Sequence, residues 1–225
     1  MAVNNKNTLL ICVCGGSGSG KTTVSKEIKK ILPKNISSQW ICLDNFYRKD
    51  LAKTVQNSSH TNINFDHPNA FDWDLAFETI KKLMNAETVQ MPVYDYVNSR
   101  RSDKVTIVNP VDVIIFEGIL TLYDPRINEL ASIKIFVDTP DDERFIRRLL
   151  RDKNERGRND DNVISQWRNV VRPMFKTFIA PQKANADIVI PWYRMNTIAI
   201  HAINGAIQEL IKSNKISKYI TYYVG

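Results

Sequence analysis

A short glycine-rich loop constrains this chain more than any other feature. The residues Gly15-Gly16-Ser17-Gly18-Ser19-Gly20-Lys21-Thr22 fit the pattern G-x-x-x-x-G-K-[ST] and follow directly on the apolar run from Thr8 to Cys14. Backbone amides that converge on phosphate oxygens need conformations that a Cβ obstructs, and the helix that follows adds the partial positive charge of its N-terminus. The pattern therefore predicts a strand, a phosphate-cradling loop and a helix. Lys21 would reach the β- and γ-phosphates, Thr22 would offer its hydroxyl to Mg²⁺, and Thr23 either adds a phosphate contact or fills the first helical turn. Switches, motors and kinases share this cradle, so the rest of the chain must choose between them.

Beyond the loop, apolar runs of strand length alternate with amphipathic stretches of helix length. That is the pattern of a parallel sheet covered by helices on both faces. Strands are expected at 9–14, 39–43, 112–116, 133–137 and 187–190, and helices at 21–32, 73–85, 141–155, 163–178 and 197–212. The reading is an α/β P-loop fold with a five-stranded parallel sheet. Two short strand-like runs, 89–96 and 105–108, joined by a polar turn at 98–104, break the alternation and predict an inserted β-hairpin over about 89–109. Residues 48–64 carry no periodicity and read as a loop, and residues 216–225 as a short aromatic tail. A chain of 225 residues suits one domain, 1–225, with this insertion.

Charge and cysteine content exclude more than they assign. The net charge of +7 raises a nucleic-acid surface as a reading, but Lys and Arg are scattered except for one crowded run from Arg147 to Arg158. The N-terminus lacks the charged, apolar and cleavage regions of a secretion signal, and no run of about 18 apolar residues occurs. A cytoplasmic protein with no membrane or nucleic-acid partner is expected. Cys12, Cys14 and Cys42 lie in strand-like segments without disulfide or zinc spacing, so buried free thiols are expected.

In open α/β sheets the ligand crevice lies beyond the carboxyl ends of the strands, which draws attention to Asp44 after 40–43 and Glu117 after 113–116. Asp44 suits a proton acceptor beside a phosphoryl-transfer centre, and Glu117 suits a Mg²⁺ ligand. The guanine-reading tetrapeptide N-K-x-D is absent, which speaks against a switch. Arg148 and Arg151 share a helix face, and Gly157 breaks the helix between Arg156 and Arg158. Such a segment, about 147–162, suits a lid that stabilises charge on a transferring phosphoryl group and excludes water; a solvated basic face is the plainer alternative.

With these residues placed, the chain resembles the uridine kinase (uridine-cytidine kinase) family of P-loop kinases over nearly its whole length. The segments that carry the resemblance are GGSGSGKTT, LDNFY (43–47), NFDHPNAFD (64–72), PVYDY (92–96), FEGIL (116–120), FVDT (136–139), RDKNERGR (151–158), VRPMFKTFIAPQK (171–183) and ADIVIP (186–191). The resemblance implies a nucleoside kinase that moves the γ-phosphoryl of ATP or GTP, with Mg²⁺, to the 5′-hydroxyl of uridine and of cytidine, and a homotetrameric assembly. It implies that Asp44 is the general base and that Asp66 binds the ribose hydroxyls. Arg148, Arg158 and Gln166 resemble the family's substrate contacts, and Arg151 and Arg156 its phosphate-side arginines. Tyr94 and Tyr96 are similar to the aromatics facing the pyrimidine, with Tyr47 and Phe65 at the same pocket. The chain departs from the family twice. The His usual after PVYDY is missing, with Asn98 in its place, and ADIVIP is followed by Trp192-Tyr193-Arg194-Met195-Asn196 where Arg-Gly is usual. A same-fold kinase for another small acceptor, and a nucleic-acid-binding P-loop protein, are the two rival readings.

Overall fold

Successive residues of a strand point to opposite faces, and in the strand before the phosphate loop both sets are apolar. Leu9, Ile11 and Val13 point one way, Leu10, Cys12 and Cys14 the other. Such a strand must be covered on both sides, and all seven residues of β1 (Leu9–Gly15) are buried. The computed structural model describes residues 8–49, 51, 64–96, 98 and 100–213. Along them the chain continues through α1 (Lys21–Ile31), β2 (Ser38–Cys42), α2 (Trp73–Met84), β3 (Val89–Asp95), β4 (Arg100–Val108), β5 (Val113–Gly118) and α3 (Pro125–Leu130). It ends with β6 (Ile133–Asp138), α4 (Asp141–Arg156), α5 (Asp160–Gln166), β7 (Ile188–Pro191) and α6 (Thr197–Ser213).

The main sheet is parallel, in the order β2-β5-β1-β6-β7. On one face Leu9, Ile11 and Val13 pack with Val24 and Ile28 of α1 and with Ile200, Ile203 and Ile207 of α6. On the other, Leu10, Cys12 and Cys14 pack with Ile41, Phe116 and Phe136, and with Ala76 and Ile80 of α2. Each of the Leu, Ile, Val and Phe side chains among them stabilises the fold by roughly 1.5–3 kcal/mol relative to exposure. The crossover from β1 through α1 to β2 leaves a gap that β5 fills later in the chain. In consequence Glu117 of β5 pairs on one side with Val13 and on the other with Cys42. That register, invisible in the sequence, carries Glu117 to the root of the phosphate loop and within two residues of Asp44.

The expected strands and helices are present, with instructive shifts. Leu43 leaves β2 for a single 3-10 turn, Leu43–Phe46, so Asp44 sits inside that turn rather than ending a strand. β5 runs on through Gly118, which places Glu117 within the sheet. The hairpin is there, but its polar residues 100–104 are strand, not turn: Tyr94 pairs with Arg101 and Asp95 with Arg100. β4 is solvent-exposed along most of its length, so it needs no apolar alternation and left none to read. The helix expected at 163–178 belongs to a longer helical stretch, from Asp160 to Asn185, that widens into π turns at Trp167–Val171 and Phe175–Ile179. Pro173 lies between the wide turns, where a ring that removes an N–H and crowds the preceding turn must be accommodated. α3 was not foreseen. Most of the loop expected at 48–64 and the tail at 216–225 lie outside the described residues. Among the described residues no helix is long and apolar enough to cross a membrane.

Candidate active site

The phosphate loop is held from beneath. Gly20 has φ +90°, and a Cβ there would overlap Cδ1 and Nε1 of the buried Trp192 indole. Glycine is thus required twice over, by the backbone and by the neighbour. Thr139 Oγ1 donates to the carbonyl oxygens of Ser19 (2.9 Å) and Trp192 (3.1 Å), which fastens the loop to the end of β6. Trp192, one of the two departures from the family pattern, is therefore a support for the loop. The Lys21 ammonium lies 3.7 Å from Glu117 Oε1. Glu117 is buried, and this desolvation raises its carboxyl above the usual range although Lys21 and the Thr22 hydroxyl pull it down.

The facing wall is built of side chains from separate segments. Tyr96 donates its hydroxyl to Asp44 Oδ2 at 3.1 Å. Burial, and then the charge of Asp44, push the Tyr96 hydroxyl far above its ordinary range, so it remains a donor. Tyr47 stacks on Phe71 with ring centroids 4.5 Å apart, meets Phe65 edge-on at 5.5 Å, and donates its hydroxyl to the Phe65 carbonyl at 3.1 Å. Tyr94 and Tyr96 meet edge to face at 5.0 Å. The buried Asp66 has Oδ2 without a hydrogen-bond partner among the described residues. Burial raises its carboxyl, against the pull of Arg148 and Lys21.

An unforeseen carboxylate organises the arginines. Asp152 of α4 is fully buried and lies among four guanidinium groups. Arg151 donates to Oδ1 through Nε (2.9 Å) and Nη2 (2.8 Å), and Arg156 Nη1 is 3.5 Å from the same oxygen. Arg158 Nη1 and Arg148 Nε stand 3.4 and 3.6 Å from Oδ2. Burial works against the Asp152 charge, but Arg151 and Arg148 outweigh it and hold the carboxyl below its usual range. Gly157, with φ +61°, reverses the chain so that Arg156 and Arg158 reach this hub from both sides of the break. Arg148 then donates to Ser17 Oγ (2.7 Å) on the phosphate loop and to Gln166 Oε1 (2.6 Å), which also accepts from Arg158 at 3.2 Å. The arginines are legible in the sequence as a run; the sequence does not single out the acid that gathers them.

One cleft of about 500 Å³ collects nearly all the residues singled out from the sequence. Ser17, Gly18, Gly20, Lys21, Thr22, Thr23 and Glu117 line one wall, and Asp44, Tyr47, Phe65, Asp66, Tyr94 and Tyr96 the other. Arg148, Arg151, Arg156, Arg158 and Gln166 close one side with Arg147 and Glu155 of the same basic segment, joined by Lys26, Trp40, Cys42 and Ile119, which the sequence did not suggest as site residues. Gly15, Gly16 and Ser19 are buried beneath the loop and do not line the cleft. Asn98 is outside it too: exposed, with its amide donating to Asp95 Oδ2 at 2.7 Å. Cys12, Cys14 and Cys42 are free thiols, the first two buried and Cys42 partly so, and burial pushes Cys14 up to about 12 and raises Cys12 and Cys42 well above the ordinary thiol range. For a divalent cation, the Thr22 hydroxyl and the Glu117 carboxylate form an oxygen-only donor pair beside the Lys21 ammonium, which suits Mg²⁺.

Comparison with known proteins agrees with this geometry. The Phosphoribulokinase / Uridine kinase family matches residues 10–199. A uridine kinase from Anoxybacillus flavithermus is 47% identical over 211 residues, 94% of this chain and 99% of that protein. Another from Ureaplasma urealyticum is 41% identical over 208 residues, 92% of this chain and the whole of the relative. Among solved structures, D-glycerate 3-kinase from Cryptococcus neoformans aligns with a TM-score of 0.57 at 17% identity, covering 78% of this chain and 80% of that one. A structure titled as a possible uridine kinase from Bacillus stearothermophilus aligns with a TM-score of 0.55 at 18% identity, covering 82% and 89%. These two likenesses speak for the fold.

Proposed function

The chain belongs to the Phosphoribulokinase / Uridine kinase family, and from that premise we propose a uridine kinase that also accepts cytidine. One observation carries the reading: a phosphate loop and a pair of carboxylates flanked by tyrosines face each other across a single cleft. In the proposed reaction Asp44 takes the proton of the nucleoside 5′-hydroxyl as that oxygen bonds to the γ-phosphorus. The bond from the γ-phosphorus to the bridging oxygen breaks, leaving the nucleoside diphosphate. Asp66, whose Oδ2 is unpartnered, receives the ribose hydroxyls. Tyr94 and Tyr96 present aromatic surface to the base, with Tyr47 and Phe65 behind them.

Arg148 and Arg158, both donating to Gln166, orient the acceptor with it, while Arg151, Arg156 and Lys21 meet the charge that develops on the transferring group. The arginine segment 147–162 closes the cleft against water, which suppresses hydrolysis of the donor. Mg²⁺, held by Thr22 and Glu117, would withdraw charge from the phosphate oxygens. ATP and GTP both satisfy the loop, which reads phosphates. The family also supports a single domain over 1–225, a homotetramer and a cytoplasmic location as parts of the same proposal. The test is a panel of uridine, cytidine and non-pyrimidine acceptors with ATP and with GTP. Uridine and cytidine should be turned over, and turnover confined to a non-pyrimidine acceptor would overturn the assignment.

A further inference from the structure

Tyr96 stands between two parts of the cleft that the sequence treats as unrelated. The residue is 45% exposed, yet its hydroxyl is turned inward, donating to Asp44 Oδ2 at 3.1 Å with Cys42 Sγ at 3.7 Å. An exposed tyrosine ordinarily leaves its hydroxyl to water, so this geometry asks for a reason. The guanidinium of Arg156 lies over the same ring, 5.2 Å from its centroid, and Arg156 is itself tied to Asp152 at 3.5 Å. One continuous path, Asp152 to Arg156 to Tyr96 to Asp44, therefore joins the arginine hub to the carboxylate opposite the phosphate loop.

We infer that Tyr96 is a positioning residue for phosphoryl transfer: its hydroxyl orients Asp44 while its ring seats Arg156. With Oδ2 held by Tyr96, Oδ1 of Asp44 is presented to the incoming hydroxyl in one rotamer rather than several. A carboxylate free to rotate would spend much of its time out of reach of the proton, and the loss would fall on the chemical step. Seating Arg156 on the same ring sets the base and the charge-stabilising arginine together. The inference rests on the proposed role of Asp44 as the base.

Two variants separate hydroxyl from ring. In Tyr96→Phe the ring stays against Tyr94 and Arg156 and only the donor is lost. Single-turnover rates at saturating uridine and ATP are expected to fall about tenfold, with the uridine KM within about twofold of the parent. Tyr96→Leu removes the ring as well, and the uridine KM is expected to rise in addition. In an Asp44→Asn background Tyr96→Phe is expected to cost little more, because its effect passes through the carboxylate. Asp44→Asn inactive with Tyr96→Phe at full rate overturns the inference and leaves the kinase reading standing. A raised uridine KM at unchanged rate in Tyr96→Phe also overturns it, since the hydroxyl would then serve the nucleoside. Near-normal turnover in Asp44→Asn overturns both the inference and the proposed base.

Discussion

The two walls of the cleft are made by opposite strategies. The phosphate wall is one contiguous segment, the end of β1, the loop and the first turn of α1, with much of its recognition in backbone amides. It is backed by the buried Trp192 and bound to the end of β6 through Thr139. The acceptor wall gathers side chains from the turn after β2, from the segment before α2 and from the hairpin, while the lid contributes from α4 and α5. A backbone wall tolerates side-chain change until packing or φ is violated. A side-chain wall loses a distinct function with each residue. Under the proposed assignment the same difference accounts for specificity: triphosphates are alike and a shared cradle suffices, whereas a nucleoside must be read group by group.

The sharpest way to break this contrast is Asp44→Asn. Turnover is expected to fall about 10³-fold with the donor KM unchanged, measured by steady-state kinetics; an equal loss of donor affinity would mean the walls are not separable. Asp152→Ala comes next. Leaving four arginines around an empty site is expected to cost about 3 kcal/mol in denaturant unfolding and to slow turnover, because repulsion spreads the groups that should converge. Gly20→Ala probes the other wall: the φ and the indole contact predict about a tenfold rise in donor KM with uridine KM little changed. The mildest effect is in pH. Because burial raises the Asp66 carboxyl, it takes up a proton at higher pH than a free aspartate, and an acceptor is lost as pH falls. As pH falls into the range where this raised carboxyl takes up its proton, above that of a free aspartate, the uridine KM is expected to rise several-fold, and this dependence should vanish in Asp66→Asn. An unchanged slope in that variant would assign the dependence to another of the site's charges.

Much of the architecture was legible because it rests on periodicity. A strand buried on both faces, such as 9–14, must be apolar throughout, and a helix with one buried face, such as α1, repeats every three to four residues. The hairpin's second strand was only half visible, since an exposed strand carries no apolar signature. The helix expected at 163–178 already spans Pro173, which the wide turns on either side accommodate, but the helical run extends further, from Asp160 to Asn185. Asn98 stood where the family carries a His, but it is pinned to Asp95 outside the cleft. Trp192, at the other departure from the family pattern, packs its indole against Gly20 of the loop.

By itself the sequence determined the cradle, because a phosphate loop is a local object: glycines, a lysine and a helix start within eight residues are enough to specify it. Together with the segments shared with the family, it also singled out most of the side chains that line the cleft. Only the tertiary structure decided how they meet. The insertion of β5 between β1 and β2 set Glu117 beside Lys21 and near Asp44, and the fold of the hairpin over the 3-10 turn joined Tyr96 to Asp44. The burial of Asp152 turned a run of arginines into a convergent cluster. These are contacts across long stretches of chain, governed by sheet order and by the low dielectric of the interior, and neither leaves a periodic mark for a reader of the sequence.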